Sequence, residues 1–171
     1  KETHSTDKGF FKNNKRIHLL LLVFLTLAAF TAAFNNGFIN WDDEEYILQN
    51  PLVRNLTWSG IVHCFTNFYA SNYNPLHIIS YMIDHALWGF DYRGYLALNL
   101  LLHIASGVFV WKIFFKLSSS RFVAAFCSVF FLIHPTRCES VVWISERKDV
   151  LSAFFAFISL WYYVKWLDFH R

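Results

Sequence analysis

The chain has 171 residues, of which 56% are hydrophobic, 20% aromatic and only 16% charged, with a net charge of +3. Soluble domains carry roughly 25% charged residues, so this composition points to a membrane protein. No basic run with interleaved aromatics reads as a nucleic-acid surface, no Gly-rich phosphate loop is present, and the three cysteines fit no metal-ligand spacing.

Residues 1–16 form a polar arm with Lys1, Lys8, Lys12, Lys15 and Arg16. "IHLLLLVFLTLAAFTAAF", Ile17 to Phe34, follows. Its length approaches the roughly 20 residues that cross about 30 Å of hydrocarbon. A signal peptide is the rival, but its apolar core is usually shorter and "AAFNNG" is a poor cleavage site. A retained span over about 17–36 is therefore expected.

"INWDDEEYILQNP", Ile39 to Pro51, places four acids just beyond that span. Asp42 or Asp43 could accept a proton from an attacking hydroxyl, or hold a divalent cation with other oxygens. They could equally be a solvated loop start, with Glu44 and Glu45 stabilising the N-terminus of a short "EEYIL" helix. Trp41 and Tyr46 read as interface anchors. "NLTWSGIVHCF" suggests a short surface helix, and Asn55-Leu56-Thr57 matches a glycosylation acceptor.

Pro75 opens a new helix, since its missing N–H costs nothing at the first turn. Within Leu76 to Phe90, His77, Ser80, Tyr81 and Asp84 recur at i, i+3, i+4 and i+7. This amphipathic helix is read as lying in the membrane surface with its polar face in water, or entering the membrane with that stripe against protein. "GFDYRG" breaks it. Further spans are expected over about 95–115, 121–134 and 150–167, the third stopped by His134-Pro135. His103 lies inside the second span, where a helix partner is the plainer reading and a proton relay the sharper one.

In "HPTRCESVVWISERKD", His134 to Asp149, Thr136 and Glu139 fit a capping box. On one continuous helix Glu139, Glu146 and Asp149 would share a face. Arg147 and Lys148 suit a phosphate; a neutralised, solvated turn explains the same charges. Ten of the fifteen Lys/Arg and three of the twelve acids fall in the arm, the turn Lys112 to Arg121 and the tail from Lys165. The positive-inside rule makes that side cytoplasmic. The outer loops, 37–92 and 135–149, would then face the lumen or periplasm. Cys64 and Cys138 share that side and could pair; two free thiols is the plainer reading.

The run of a first span, "WDDEEYILQNP", "NYNPLHIISYMIDHALWG", "GYLALNLLLHIASGVFVW" and "IHPTRCESVVWISERKDVLS" resembles one family over about Phe34 to Tyr163. It looks like the N-terminal membrane half of the tetratricopeptide-repeat-linked GT-C glycosyltransferases, which include transmembrane O-mannosyltransferases and bacterial relatives. The resemblance implies an all-α polytopic helical bundle with amphipathic interfacial helices in its outer loops. It implies an inverting transfer of a hexose, mannose among the options, from a polyprenyl- or dolichyl-phosphate donor to a protein Ser/Thr hydroxyl.

Asp42 or Asp43 would be the base. Arg147 and Lys148 would neutralise the phosphate, with Glu146 and Asp149 orienting them. His134 and Glu139 would line the cavity, and Tyr73 and Asn74 would lie near its mouth. No cofactor is implied beyond the possible cation. The partners are the donor lipid, an acceptor protein and membrane lipid, not nucleic acid. The family's further spans and repeats are missing, so a fragment inactive by itself is expected. A bacterial inner membrane is favoured, with the endoplasmic reticulum as alternative. The rival functions are a transporter or flippase working through Asp84, His85 and His103, and a non-catalytic membrane anchor for a repeat domain.

Overall fold

The computed structural model describes residues 7–170, with side chains from Ile17 onward. All of the basic arm's side chains and the terminal Arg171 lie outside that range. Seven α-helices make up the described chain: α1 Asp7–Phe30, α2 Trp58–Thr66, α3 Pro75–Trp88, α4 Tyr92–Ser118, α5 Arg121–Ile133, α6 Arg137–Val142 and α7 Arg147–Phe169. The protein is an all-α helical membrane bundle; its only extended pairing among the described residues is an isolated bridge between Tyr69 and Asn72.

Three segments are long and apolar enough to cross a membrane: Ile17–Asn35, Tyr92–Ser118 and Ile144–Phe169. α5 is apolar but has 13 residues, which at 1.5 Å each reach about 20 Å. That is shorter than the hydrocarbon core that the expected third span, 121–134, must cross. Large apolar side chains stand exposed around these helices, among them Leu20, Phe24, Phe122, Phe126 and Phe155. An apolar surface of that extent suits lipid and not water. Thr31 tolerates it because its hydroxyl bonds the Leu27 carbonyl at 2.7 Å, and the buried Thr26 bonds the Leu22 carbonyl at 2.8 Å in the same way.

Local chemistry sets the helix ends. Thr57 caps α2 by accepting from the Gly60 N–H at 3.1 Å. Pro75 occupies the first turn of α3, and Gly89, at φ +61°, closes it, a conformation that favours glycine. Asp91 caps α4 through the Arg93 N–H at 3.0 Å. Ser120 caps α5, and Pro135 holds the residue before it, His134, in the extended region.

α4 is the central post, packed against both α5 and α7. Ser119 and Ser120 alone separate α4 from α5, so the two run antiparallel. Leu132 of α5 lies where a Cβ on Gly107 of α4 would be, within 2.7 Å. Ser128 donates to the Gly107 carbonyl at 2.7 Å. His103 Nε2 bonds the Leu132 carbonyl at 2.9 Å. The last carbonyls of a helix have no partner of their own, so His103 serves as a helix cap from a neighbouring helix. This is the helix-partner reading of that residue.

Candidate active site at the acidic end of the bundle

Residues 37–92 and 134–149 gather at one end of the bundle, around Arg147. This side chain is fully buried. Its Nε donates to Asn99 Oδ1 at 2.6 Å, Nη1 to Ser80 Oγ at 3.1 Å and Nη2 to the Tyr95 carbonyl at 2.9 Å. Nη1 also pairs with Asp84 Oδ2 at 2.5 Å. The guanidinium lies 4.7 Å from the centre of the Tyr81 ring and 5.7 Å from that of Tyr95. A buried ion needs a counter-ion and hydrogen-bond partners, and Arg147 has Asp84 and three acceptors.

One open alternative is decided here and one expectation changes. The His77–Ser80–Tyr81–Asp84 stripe is not in water: all four residues are buried against protein, because Arg147 supplies the polar surroundings they require. Arg147 itself turns inward and presents no surface to a phosphate in this arrangement.

The same polar residues pin the turn between α6 and α7. The Tyr81 hydroxyl donates to the Ile144 carbonyl at 2.6 Å, Tyr92 to Val142 at 2.9 Å and Asn99 to Val141 at 3.0 Å. These carbonyls would otherwise seek helical partners. The continuous helix expected over 137–149 therefore breaks at Trp143, whose backbone is extended. Glu139, Glu146 and Asp149 do not share one face. The capping box is absent as well. Thr136 makes no side-chain cap; its hydroxyl pairs with His134 Nδ1 at 2.8 Å.

Asp43 joins this turn to the first loop. The carboxylate is fully buried. It accepts from the Ser145 N–H at 2.8 Å and from the Ser145 hydroxyl through Oδ1, and from the Ile39 N–H at 2.9 Å through Oδ2. Trp41 stacks on Trp143 at 6.0 Å. Two contacts, either side of Asp42, thus seat the loop on the 143–147 turn. Asp42 is half-buried, and Glu45 is exposed. The short helix expected over "EEYIL" is a π-helical turn, Glu44–Leu48, and Glu44 accepts from Gln49 Nε2 at its end at 2.6 Å. Tyr46 is buried between Tyr69 and His77 and is no interface anchor.

Lys148 is half-exposed on the same turn and pairs with Glu146 at 2.9 Å. Asp149 points another way and accepts from Ser140 at 3.1 Å. His134 is half-buried beside a cavity of about 380 Å³ between the ends of α1, α5 and α6. Glu139 is exposed. Tyr73, half-exposed, donates to the Phe65 carbonyl at 3.0 Å, and Asn74 precedes Pro75 without capping α3. The structure thus brings Asp42, Asp43, Glu146 and Lys148 to one junction and leaves Tyr73 and Asn74 tied to α2 and α3. Sequence reasoning missed Ser145, Asn99 and Tyr95. Asn99 was open to detection as an amide inside an otherwise apolar helix.

Burial, helped by the positive charges of Arg147 and Lys148, pushes His77 down to about 3. Burial raises Asp84 against the opposing pull of Arg147. His77 is therefore neutral. The Tyr81 hydroxyl, its proton given to Ile144, accepts from His77 Nε2 at 2.5 Å. Below the ordinary His pKa of 6.5 the unfolded chain binds a proton that the folded one refuses. Stability is complete above 6.5 and is expected to fall toward pH 3 by up to about 1.4 kcal/mol per pH unit. Asp84 acts with the opposite sign at the acid end. Thermal unfolding of the protein in detergent from pH 7.5 to 5 checks this: His77→Gln should flatten the slope, and an unchanged slope refutes it.

Comparison with known proteins decides the relationship. Protein O-mannosyl-transferase TMTC2 of Homo sapiens is 33% identical over 138 residues, 73% of this chain and 16% of the relative. TMTC4 of Mus musculus is 25% identical over 162 residues, 82% of this chain and 22% of the relative. Tmtc1 of Drosophila melanogaster is 26% identical over 138 residues, 75% of this chain and 16% of the relative. The chain belongs with the membrane portion of the protein O-mannosyl-transferases. It spans only 16–22% of the length of these relatives. No family model and no solved structure matches it.

Within this O-mannosyl-transferase-type portion, the residues on which a transporter would depend are otherwise engaged. Asp84 is bound to Arg147, His103 caps α5, and His85 packs on Phe90 at 4.5 Å. The acids of the first loop diverge, and among the described residues no three His, Cys, Asp or Glu side chains gather as a metal site. The cysteines are unpaired: Cys64 is buried against Met82, and Cys138 is exposed.

Proposed function

We propose that the chain is the catalytic membrane portion of an enzyme that transfers a hexose, mannose in the names of its relatives, from a polyprenyl- or dolichyl-phosphate to a protein Ser/Thr hydroxyl. The observation that carries this reading is the Asp43–Ser145 junction, which seats the first loop on the turn bearing Lys148. Asp42 is the half-exposed acid beside that junction and takes the role of general base. The acceptor oxygen attacks the anomeric carbon from the side opposite the phosphate. The carbon–oxygen bond to phosphate breaks, its electron pair leaves with the lipid phosphate, and the acceptor proton passes to Asp42. The configuration inverts. Lys148, held by Glu146, stabilises the charge gathering on the leaving phosphate. Asp43 and Arg147 are positioning residues. Charge asymmetry supports a cytoplasmic N-terminus, with the acidic end in the lumen or periplasm. Further spans and a repeat domain would complete the enzyme.

The test uses the full-length protein in membranes with labelled polyprenyl-phosphate mannose. Asp42→Asn is expected to lower transfer by about 10²–10⁴-fold and Lys148→Ala by about 10²-fold or more, with unfolding temperatures unchanged. Transfer that survives both substitutions refutes these roles.

A further inference from the structure

Beside the α6–α7 turn, a cavity of about 230 Å³ opens between α4, α5, α6 and α7. Arg137 and Asp149 line it together with Ser140, Ser152, His103 and Phe131. Of the three cations in "HPTRCESVVWISERKD", Arg147 is saturated internally and Lys148 is paired with Glu146. Among the described residues Arg137 has neither kind of partner. Its guanidinium lies 5.2 Å from the centre of the Phe131 ring, and its Nε is buried without a hydrogen-bond acceptor. A buried donor left unmade is costly, and a planar guanidinium with free N–H groups is suited to a phosphate. Across the cavity, Asp149 Oδ2 is bonded only by the Ser140 hydroxyl at 3.1 Å, and the Ser152 hydroxyl donates to the Lys148 carbonyl at 2.7 Å. A carboxylate with spare lone pairs and two hydroxyls beside it match the vicinal hydroxyls of a sugar. A bare phosphate would meet the Asp149 charge unfavourably, whereas a sugar ring between the two groups satisfies both.

We infer that this cavity receives the phosphohexose head of the donor lipid, with Arg137 on the phosphate and Asp149 on the ring hydroxyls. The inference rests on the transfer reaction proposed above and moves the phosphate's resting contact from Lys148 to Arg137. Lys148 then acts as the phosphate leaves.

Binding of labelled polyprenyl phosphate and of labelled polyprenyl-phosphate mannose to the full-length protein in detergent tests it. Arg137→Gln is expected to weaken both ligands by about tenfold to a hundredfold, and Arg137→Lys to recover part of the loss. Asp149→Asn should weaken the sugar-bearing lipid about tenfold and weaken polyprenyl phosphate not at all, since it removes a charge that repels a bare phosphate. A merely structural role would move the two ligands together in both variants. If wild type transfers mannose while Arg137→Gln and Arg137→Lys bind both lipids as wild type does, the cavity assignment is overturned and the transfer reading stands. If wild type binds neither lipid and transfers nothing, both fall. If Arg137→Gln fails to fold, the decision passes to Arg137→Lys and Asp149→Asn: an Asp149→Asn protein that binds both lipids as wild type does, or loses both equally, overturns the assignment.

Discussion

Arg147→Ala is expected to destabilise the protein by about 3–5 kcal/mol, the usual cost of breaking a buried ion pair from one side. The substitution strands Asp84 as an uncompensated buried charge. It also leaves Ser80, Asn99 and the Tyr95 carbonyl without the donors they now have. Arg147→Lys is expected to recover little, because one ammonium cannot reach four partners arranged around a planar fork. The double variant Asp84→Asn with Arg147→Met should be more stable than the sum of the single effects, since it removes both charges. Thermal unfolding in detergent reads all four proteins. An Arg147→Ala protein that melts with wild type would show that the pair does not hold the helices together.

Asp43→Ala should be nearly as damaging, at about 2–4 kcal/mol, because it leaves the buried Ser145 N–H and the Ile39 N–H without their acceptors. Asp43→Asn is expected to cost less but still about 1–3 kcal/mol. One oxygen can keep Ser145, while the amide nitrogen then faces another donor at Ile39. The consequence is local: the 39–50 loop should detach from the α6–α7 turn and become open to limited proteolysis. The contrast with Asp42→Asn separates positioning from chemistry. Loss of activity at position 42 should come without a change in melting, and at position 43 it should come with one. If Asp43→Asn melts as wild type while transfer is lost, Asp43 and not Asp42 is the reacting acid.

Several elements were legible from local signals. Thr57, Pro75, Gly89, Asp91 and Pro135 mark helix ends through their own backbone and side-chain chemistry, and each end falls close to where they stand. The α3 stripe was legible as a stripe, with water and protein both left open as what it faces. Water and Arg147 present the same demand to His77, Ser80, Tyr81 and Asp84, and the guanidinium that meets it lies 63 residues beyond Asp84. The break at Trp143 had no local marker at all. No proline or glycine stands there, and the helix ends because Tyr81, Tyr92 and Asn99 take its carbonyls from other helices.

The sequence by itself determined an all-helical membrane chain with its acids gathered at one end, because hydrophobic length, helix-breaking residues and charge placement act over a few neighbours. Only the tertiary structure decided which charges work inside and which face a ligand. Asp43 and Asp42 are adjacent, as are Arg147 and Lys148, yet one of each pair is buried and the other half-exposed. The direction of each side chain follows from partners far along the chain: Ser145 for Asp43, Asp84 and Asn99 for Arg147. In a low-dielectric interior a charge goes where its counter-charge and hydrogen-bond partners already are, and their place is a property of the packed helices.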